Sequence, residues 1–158
     1  MKNELASGMV GACGEHYVAA WLTAHGFIAA IPRAGVPGCD LFVALERGGR
    51  ALKIQVKTGR QASKTTREEG KIYLWSTAYG ALKRKDHEYW YAFLWLNGWP
   101  AGPNHPEVFF VPAKRVISYL RGAKRIKDKW PFFWMKEREA EKFRGEVGLK
   151  LMSKTLRT

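Results

Sequence analysis

Apolar residues recur along this chain with two periods. Between residues 5 and 25, Val18 and Leu22 stand four apart with Trp21 beside them, the spacing of one helical face, and Gly26 follows as a helix-ending residue. From residue 27 the pattern becomes that of strands. Residues 27–31 form a short apolar run, and residues 41–45 and 51–56 form two more, joined by residues 46–50, where Gly48 and Gly49 supply a hairpin turn. Side chains alternate along a strand, so Leu52, Ile54 and Val56 project from one face while Lys53, Gln55 and Lys57 project from the other. Residues 58–71 have no apolar period and predict a loop. Residues 72–75 predict a strand, and residues 77–88 hold at most a short helical turn. The run 89–96, YWYAFLWL, is apolar throughout and predicts a central strand buried on both faces. A turn at 97–106 and a strand at 107–111 follow. Pro112 is expected at the first position of a helix reaching about residue 121, with Val116, Ile117 and Leu120 as its stripe. Residues 121–129 read as a basic connector, 130–135 as an aromatic patch packed on the core, and 136 to about 152 as one charged helix. Strands and helices interleave, which gives an α/β protein.

Length and composition fit this outline. The 158 residues, 46% hydrophobic and 13% aromatic, suit a single globular domain over 1–158, with a basic helical part from about residue 112. No linker, repeat or low-complexity tract divides it. No apolar run approaches the roughly 20 residues of a membrane span, and the first residues lack the apolar core of a secretory signal, so a cytosolic location and no membrane partner are expected. Cys13 and Cys39 show no CxxC spacing and read as reduced thiols. The net charge of +13 and a pI near 10.0 point to a polyanionic partner, with nucleic acid foremost. Residues 112–158 hold 14 Lys or Arg against 5 Asp or Glu. A lysine-rich surface with no such partner has the same composition.

Candidate chemistry gathers on the hairpin. Asp40 opens the strand before the one that carries Gln55 and Lys57, so a carboxylate, an amide and an amine converge on one sheet. Glu15 lies three residues before Val18 and seven before Leu22, on the inward stripe of the first helix, where a carboxylate needs a partner; at the edge of that stripe it reaches solvent instead. Gly8, Gly11 and Gly14 weaken this helix and mark either a late start or a close backbone approach. Arg33, in the loop at 32–38, and Arg60, Ser63, Lys64 and Thr66, in the expected loop at 58–71, are candidates for contact with a sugar-phosphate backbone, or belong to ordinary surface loops. The aromatic run at 89–96 is core, or a stacking platform for bases.

An N-terminal helix with Gly14-Glu15, then Pro37-Gly38-Cys39-Asp40, fourteen intervening residues, and Gln55-Val56-Lys57 resembles the PD-(D/E)XK nuclease superfamily in its QxK form. The similarity is greatest to the restriction-endonuclease-like and Holliday-junction-resolvase-like branch and spans residues 8–60. It implies a restriction-endonuclease-like core, a central mixed β-sheet flanked by helices. It also implies catalytic roles for Glu15, Asp40, Gln55 and Lys57. Mg²⁺, or Mn²⁺, would be held by Asp40, Gln55 and the Val56 backbone carbonyl, with Glu15 joining through water. The residues themselves suit phosphodiester hydrolysis: a hard cation takes oxygen ligands, polarises the phosphate and activates water, and Lys57 is placed to orient that water or to stabilise developing charge. Gln55 departs from the commoner Asp or Glu and removes a negative charge, although QxK members of the superfamily include active enzymes. A second departure is the lack of an evident helix after the motif strand.

The leading expectation is therefore a metal-dependent DNA endonuclease, with cutting of junctions or branched DNA as one variant and restriction-type cutting as another. The alternative is a catalytically silent nucleic-acid-binding protein on the same fold, suggested by Gln55. A third reading is a basic structural protein in which Asp40 and Lys57 form a simple ion pair. A homodimer is expected from the resemblance and from the aromatic surface at 130–134, since two sites nick both strands symmetrically.

Overall fold

A computed structural model describes residues 6–33, 38–83, 87–125 and 131–157. Helix α1 (Ser7–Ala24) leads into strands β1 (Phe27–Ala30), β2 (Leu41–Leu45) and β3 (Leu52–Gly59), then β4 (Ser63–Thr66) and β5 (Gly70–Ser76). After a 3-10 turn at Tyr79–Lys83 come β6 (Tyr89–Trp95), β7 (Glu107–Pro112), α2 (Ala113–Arg125), β8 (Phe132–Lys136), α3 (Glu137–Ala140) and α4 (Gly145–Arg157). The main sheet has the order β1-β2-β3-β6-β7. Its central pair, β3 and β6, is parallel and its other pairs are antiparallel. This is the expected mixed sheet flanked by helices.

Side-chain alternation divides the core into two layers. Leu52, Ile54 and Val56 of β3, with Trp90, Ala92 and Leu94 of β6, pack beneath Val10, Val18 and Leu22 of α1 and Leu149, Met152 and Leu156 of α4. On the opposite face Tyr91 and Phe93 of β6 meet Phe109 and Val111 of β7, Val116 and Leu120 of α2, and Tyr73, Trp75, Phe133 and Met135 of a second sheet. Strand β6 is thus buried on both faces, as its composition predicts. Each large side chain fully buried there contributes roughly 1.5–3 kcal/mol. The hairpin turn also forms as expected, with Gly48 and Gly49 at φ 80° and 116°, and Gly26, at φ 82°, ends α1. Cys13 and Cys39 are free thiols. Among the described residues no helix is long and apolar enough to cross a membrane.

Four expectations are corrected. Residues 58–71 are not a loop: β3 continues to Gly59, and β4 pairs with β5 to begin a second antiparallel sheet of order β4-β5-β8. Strand β4 lies at a sheet edge, half-buried or exposed throughout, and is held by its main-chain ladder, so it carries no apolar period to read. Pro112 ends β7, opposite Trp90, and α2 starts at Ala113. An edge strand tolerates a residue without an N–H at this point. Helix α2 also extends past 121 to Arg125, which takes in the start of the supposed connector; 126–129 lie outside the described residues. The charged helix expected from 136 is two helices. Between them Arg144 makes a β-bridge with Phe109, and Gly145, the first residue of α4, adopts φ 47°. Arg144 pairs with Glu107 at 2.7 Å and Glu141 at 3.0 Å, which fixes the break.

The aromatic patch does pack on the core, as β8, with Phe133 and Met135 fully buried and Phe132 exposed. Trp130 lies outside the described residues. Among the described residues of that patch, Pro131, Phe133 and Met135 are buried within the protein, Trp134 is half-buried and Phe132 is exposed.

Candidate functional site

The β2–β3 register sets Leu41 opposite Ile54, so the next step back places Asp40 opposite Gln55. Asp40 sits in a bend immediately before β2, and its N–H still donates to the Ile54 carbonyl at 2.8 Å. Beyond this point β2 has ended while β3 runs on, which opens one edge of β3. Asp40 Oδ2 fills the opening by accepting the Val56 N–H at 2.7 Å and the Gln55 side-chain N–H. In extended backbone the N–H and C=O of one residue point to the same side, so the Val56 carbonyl is directed to this opening as well.

Gln55 is held at its other end. Its Oε1 lies 3.1 Å from the hydroxyl of Tyr89, which also hydrogen-bonds the Gly38 carbonyl. Gly38 has φ 108°, a backbone conformation that side chains oppose. Lys57, two residues on from Gln55, shares its face of β3 and is half-buried.

Glu15 reaches the same place from α1. The approach depends on Gly14, which is buried against Thr58 of β3: a Cβ there would lie 1.7 Å from Thr58 Oγ1. Gly14 therefore marks a close backbone approach, whereas Gly8 and Gly11 have open space around them. Burial, and secondarily the charge of Asp40, push the Glu15 carboxyl above its ordinary value of 4.5, while His16 and Lys57 act in the opposite direction. Glu15 is thus turned to the site side of its helix, within the fields of both Asp40 and Lys57.

A carboxyl with a raised folded pKa costs stability as pH rises from its ordinary value through the raised one; below 4.5 there is no cost. Glu15→Gln is accordingly expected to stabilise the cation-free protein at pH 7 by about 0.5 kcal/mol once solvent screening is allowed for, or roughly 1–2 °C. At pH 4 the two proteins should melt together. Thermal melts at both pH values check this, and equal shifts at both would exclude a charge effect.

The structure thus brings Glu15, Asp40, Gln55, Val56 and Lys57 together. Arg33 is exposed after β1 at the edge of the main sheet, beside residues 34–37, which lie outside the described residues and include Pro37 of the motif. Arg60 is exposed just past β3, with its carbonyl accepting Trp95 Nε1 at 3.2 Å. Ser63, Lys64 and Thr66 belong to β4, where Lys64 is exposed and Thr66 Oγ1 accepts the Glu69 N–H at 3.0 Å. Two neighbours escape the sequence reading, Tyr89 and Thr58, whereas the close approach at Gly14 is one of its two readings of the helix glycines. For Tyr89 the available signal was a hydroxyl in an apolar run, a group that needs a partner when buried.

The donor set fits a hard divalent cation. Two mutually repelling carboxylates, a carboxamide and a main-chain carbonyl are oxygen ligands of the kind Mg²⁺ and Mn²⁺ take. Among the described residues there is no cluster of three or more His, Cys, Asp or Glu. The set depends on Gln55, whose amide as placed gives its nitrogen to Asp40 and its oxygen to Tyr89.

No protein-family model matches the chain, and no curated protein matches it in sequence. A solved structure does: a bacterial homing endonuclease, I-Ssp6803I, is similar with a TM-score of 0.58 at 14% identity, over 96% of this chain and 97% of that one. With the mixed five-stranded sheet and its helices, this establishes a restriction-endonuclease-like fold.

Proposed function

We propose that this chain is a divalent-cation-dependent DNA endonuclease that hydrolyses phosphodiester bonds. The observation that supports it most is the convergence of Glu15 and Lys57 on Asp40, where Asp40 is clamped to Val56 at the opened edge of β3. Asp40, the Val56 carbonyl and Gln55 would hold the cation, with Glu15 completing the set through water. When bound, the cation supplies Lewis-acid polarisation of the phosphate and neutralises its charge. Lys57 donates to charge that develops on the phosphate oxygens, or orients the attacking water. The Val56 N–H holds Asp40 in one geometry, so little reorganisation of this carboxylate accompanies reaction. The exposed cations Arg33, Arg60 and Lys64, with Ser63 and Thr66, are proposed to contact the sugar-phosphate backbone. A C2 dimer is part of the proposal because two strands are to be cut.

A second reading has its own observation. The Gln55 amide donates to Asp40 and so partners this carboxylate from within the chain, as suits a protein that binds nucleic acid without cutting it.

Duplex, single-stranded and branched DNA incubated with the protein and Mg²⁺ or Mn²⁺ distinguish the two. Cutting of at least one substrate, abolished by chelator and by Asp40→Ala, is expected. Salt-sensitive binding with no cutting of any substrate would favour the silent reading, and neither binding nor cutting would exclude both.

A further inference from the structure

We propose that the cleft between α2, β8 and α3 holds one unpaired nucleotide of a DNA strand, its base stacked on Trp134 and its flanking phosphates paired with Arg138 and Lys142. This rests on the DNA reading above and deepens it: the substrate contains an unpaired stretch.

The alternation of β8 makes one wall. Phe133 and Met135 point into the core, so Trp134 and Lys136 stand on the outer face of this edge strand. Arg115 and Tyr119, four residues apart on α2, make a second wall, and Arg138, Glu139 and Lys142 complete the lining. The cleft has a volume of about 340 Å³, toward the lower end of pockets that take small ligands.

Its aromatic floor is fixed from beneath. Tyr119 meets Phe133 edge-on at 5.4 Å and Trp134 at 6.2 Å, and Phe133 stacks on Phe93 of the main sheet at 4.9 Å. Trp134 itself is half-buried, so it offers a base a surface already in place and spares the entropy of ordering one.

Four cations line the cleft against one carboxylate. Two are engaged within the protein: Arg115 is bound to Glu139 at 2.6 Å and lies against the Phe133 ring, and Lys136 is bound to Glu69 at 2.5 Å. Arg138 and Lys142 are exposed and make no ion pair with a carboxylate among the described residues. The surplus positive charge suits an anion, and the aromatic floor suits a flat ring beside it. A nucleotide carries both. In a duplex each base face is covered by its neighbours, so only an unpaired base presents one to Trp134.

Fluorescence anisotropy with chelator present tests this on a labelled single strand, the same strand with abasic sites, and the duplex. Wild type is expected to bind the base-bearing strand about five- to hundredfold more tightly than the abasic one, the worth of one stacked base. Trp134→Ala should lose that discrimination and keep its duplex affinity. Arg138→Ala combined with Lys142→Ala should lower the slope of log affinity against log salt by about 1.4, as for two phosphates of a single strand. Equal affinity of wild type for the two strands, full discrimination in Trp134→Ala, or an unchanged salt slope would each overturn the proposal. So would equal weakening of strand and duplex in Trp134→Ala, which makes the residue structural only. A fall in the mass of that variant by light scattering would give the cleft to a second copy of the chain, and displacement of the strand by oligoglutamate as readily as by unlabelled DNA would give it to an acidic protein; either overturns the proposal. All these results leave cation-dependent cutting, measured separately with Mg²⁺, standing. The expected discrimination in a protein that cuts nothing supports the cleft and favours the silent reading, whereas no binding to any of the three DNAs would overturn the proposal together with the DNA reading.

Discussion

Lys57→Ala is expected to slow DNA cleavage about 10²–10³-fold, the loss that follows removal of one donor aimed at developing charge, with the fold intact. Lys57 sits in register with Phe93 of β6, so its backbone is held by the centre of the sheet. Its side chain is half-buried beside Gln55, and replacing it with alanine leaves no fully buried cavity. Lys57 also lowers the pKa of Glu15, so its removal should push that carboxyl further up and move the acid limb of the pH–rate profile to higher pH. Arginine is not an expected rescue, because a planar guanidinium does not occupy the place of a compact ammonium. Single-turnover rates with Mg²⁺ in excess, with melting curves alongside, check this. Undiminished cutting would remove Lys57 from the mechanism.

The second large effect is at a residue with no side chain. Gly14→Ala is expected to destabilise the protein by about 2–3 kcal/mol, as overpacking does, and to lower the melting temperature by roughly 5–10 °C. The new methyl would meet Thr58 Oγ1 at 1.7 Å and Thr58 Cβ at 2.9 Å, so α1 must lift from β3 and carry Glu15 with it. Cleavage should fall about 10²-fold even below the melting transition, since a displacement of about 1 Å has such an effect on oriented groups. Thr58 itself is replaceable. Its Oγ1 is buried and has no hydrogen-bond partner among the described residues, so Thr58→Ala alone should be neutral or slightly stabilising. Combined with Gly14→Ala it removes the worse of the two contacts and should restore part of both losses. Denaturation and cleavage of the two single variants and the double variant measure this, and absence of any recovery would show that the contact is not what Gly14 protects.

The β2–β3 hairpin was legible because three local signals agree there: a glycine turn, strict alternation and strand length. Hairpin register then makes Asp40 and Gln55 neighbours without knowledge of the remaining chain. Glu15 could be placed on an inward stripe for the same local reason. Tyr89 could not, because it meets Gln55 only through the parallel alignment of β3 with β6, which no short-range pattern encodes. Strand β4 was missed because an edge strand needs no apolar face. The net charge of +13 points to a polyanionic partner but not to the cations that would meet it: Arg115 is bound to Glu139 at 2.6 Å, Lys136 to Glu69 at 2.5 Å and Arg144 to two glutamates. A charge count does not reveal which cations are already neutralised within the fold.

The parallel pairing at the centre of the sheet also bears on the order in which the site assembles. Strands β1, β2 and β3 are joined as an antiparallel meander and close over short loops, whereas β3 and β6 meet only after the chain has traversed β4, β5 and the 3-10 turn. Closing the longer loop costs more chain entropy before any contact repays it, so local pairing tends to precede it in time. Asp40 and Gln55 belong to the early unit and Tyr89 to the late one. The carboxylate and the amide are then already side by side when the tyrosine arrives, and the amide takes its final orientation as one of the last events of folding.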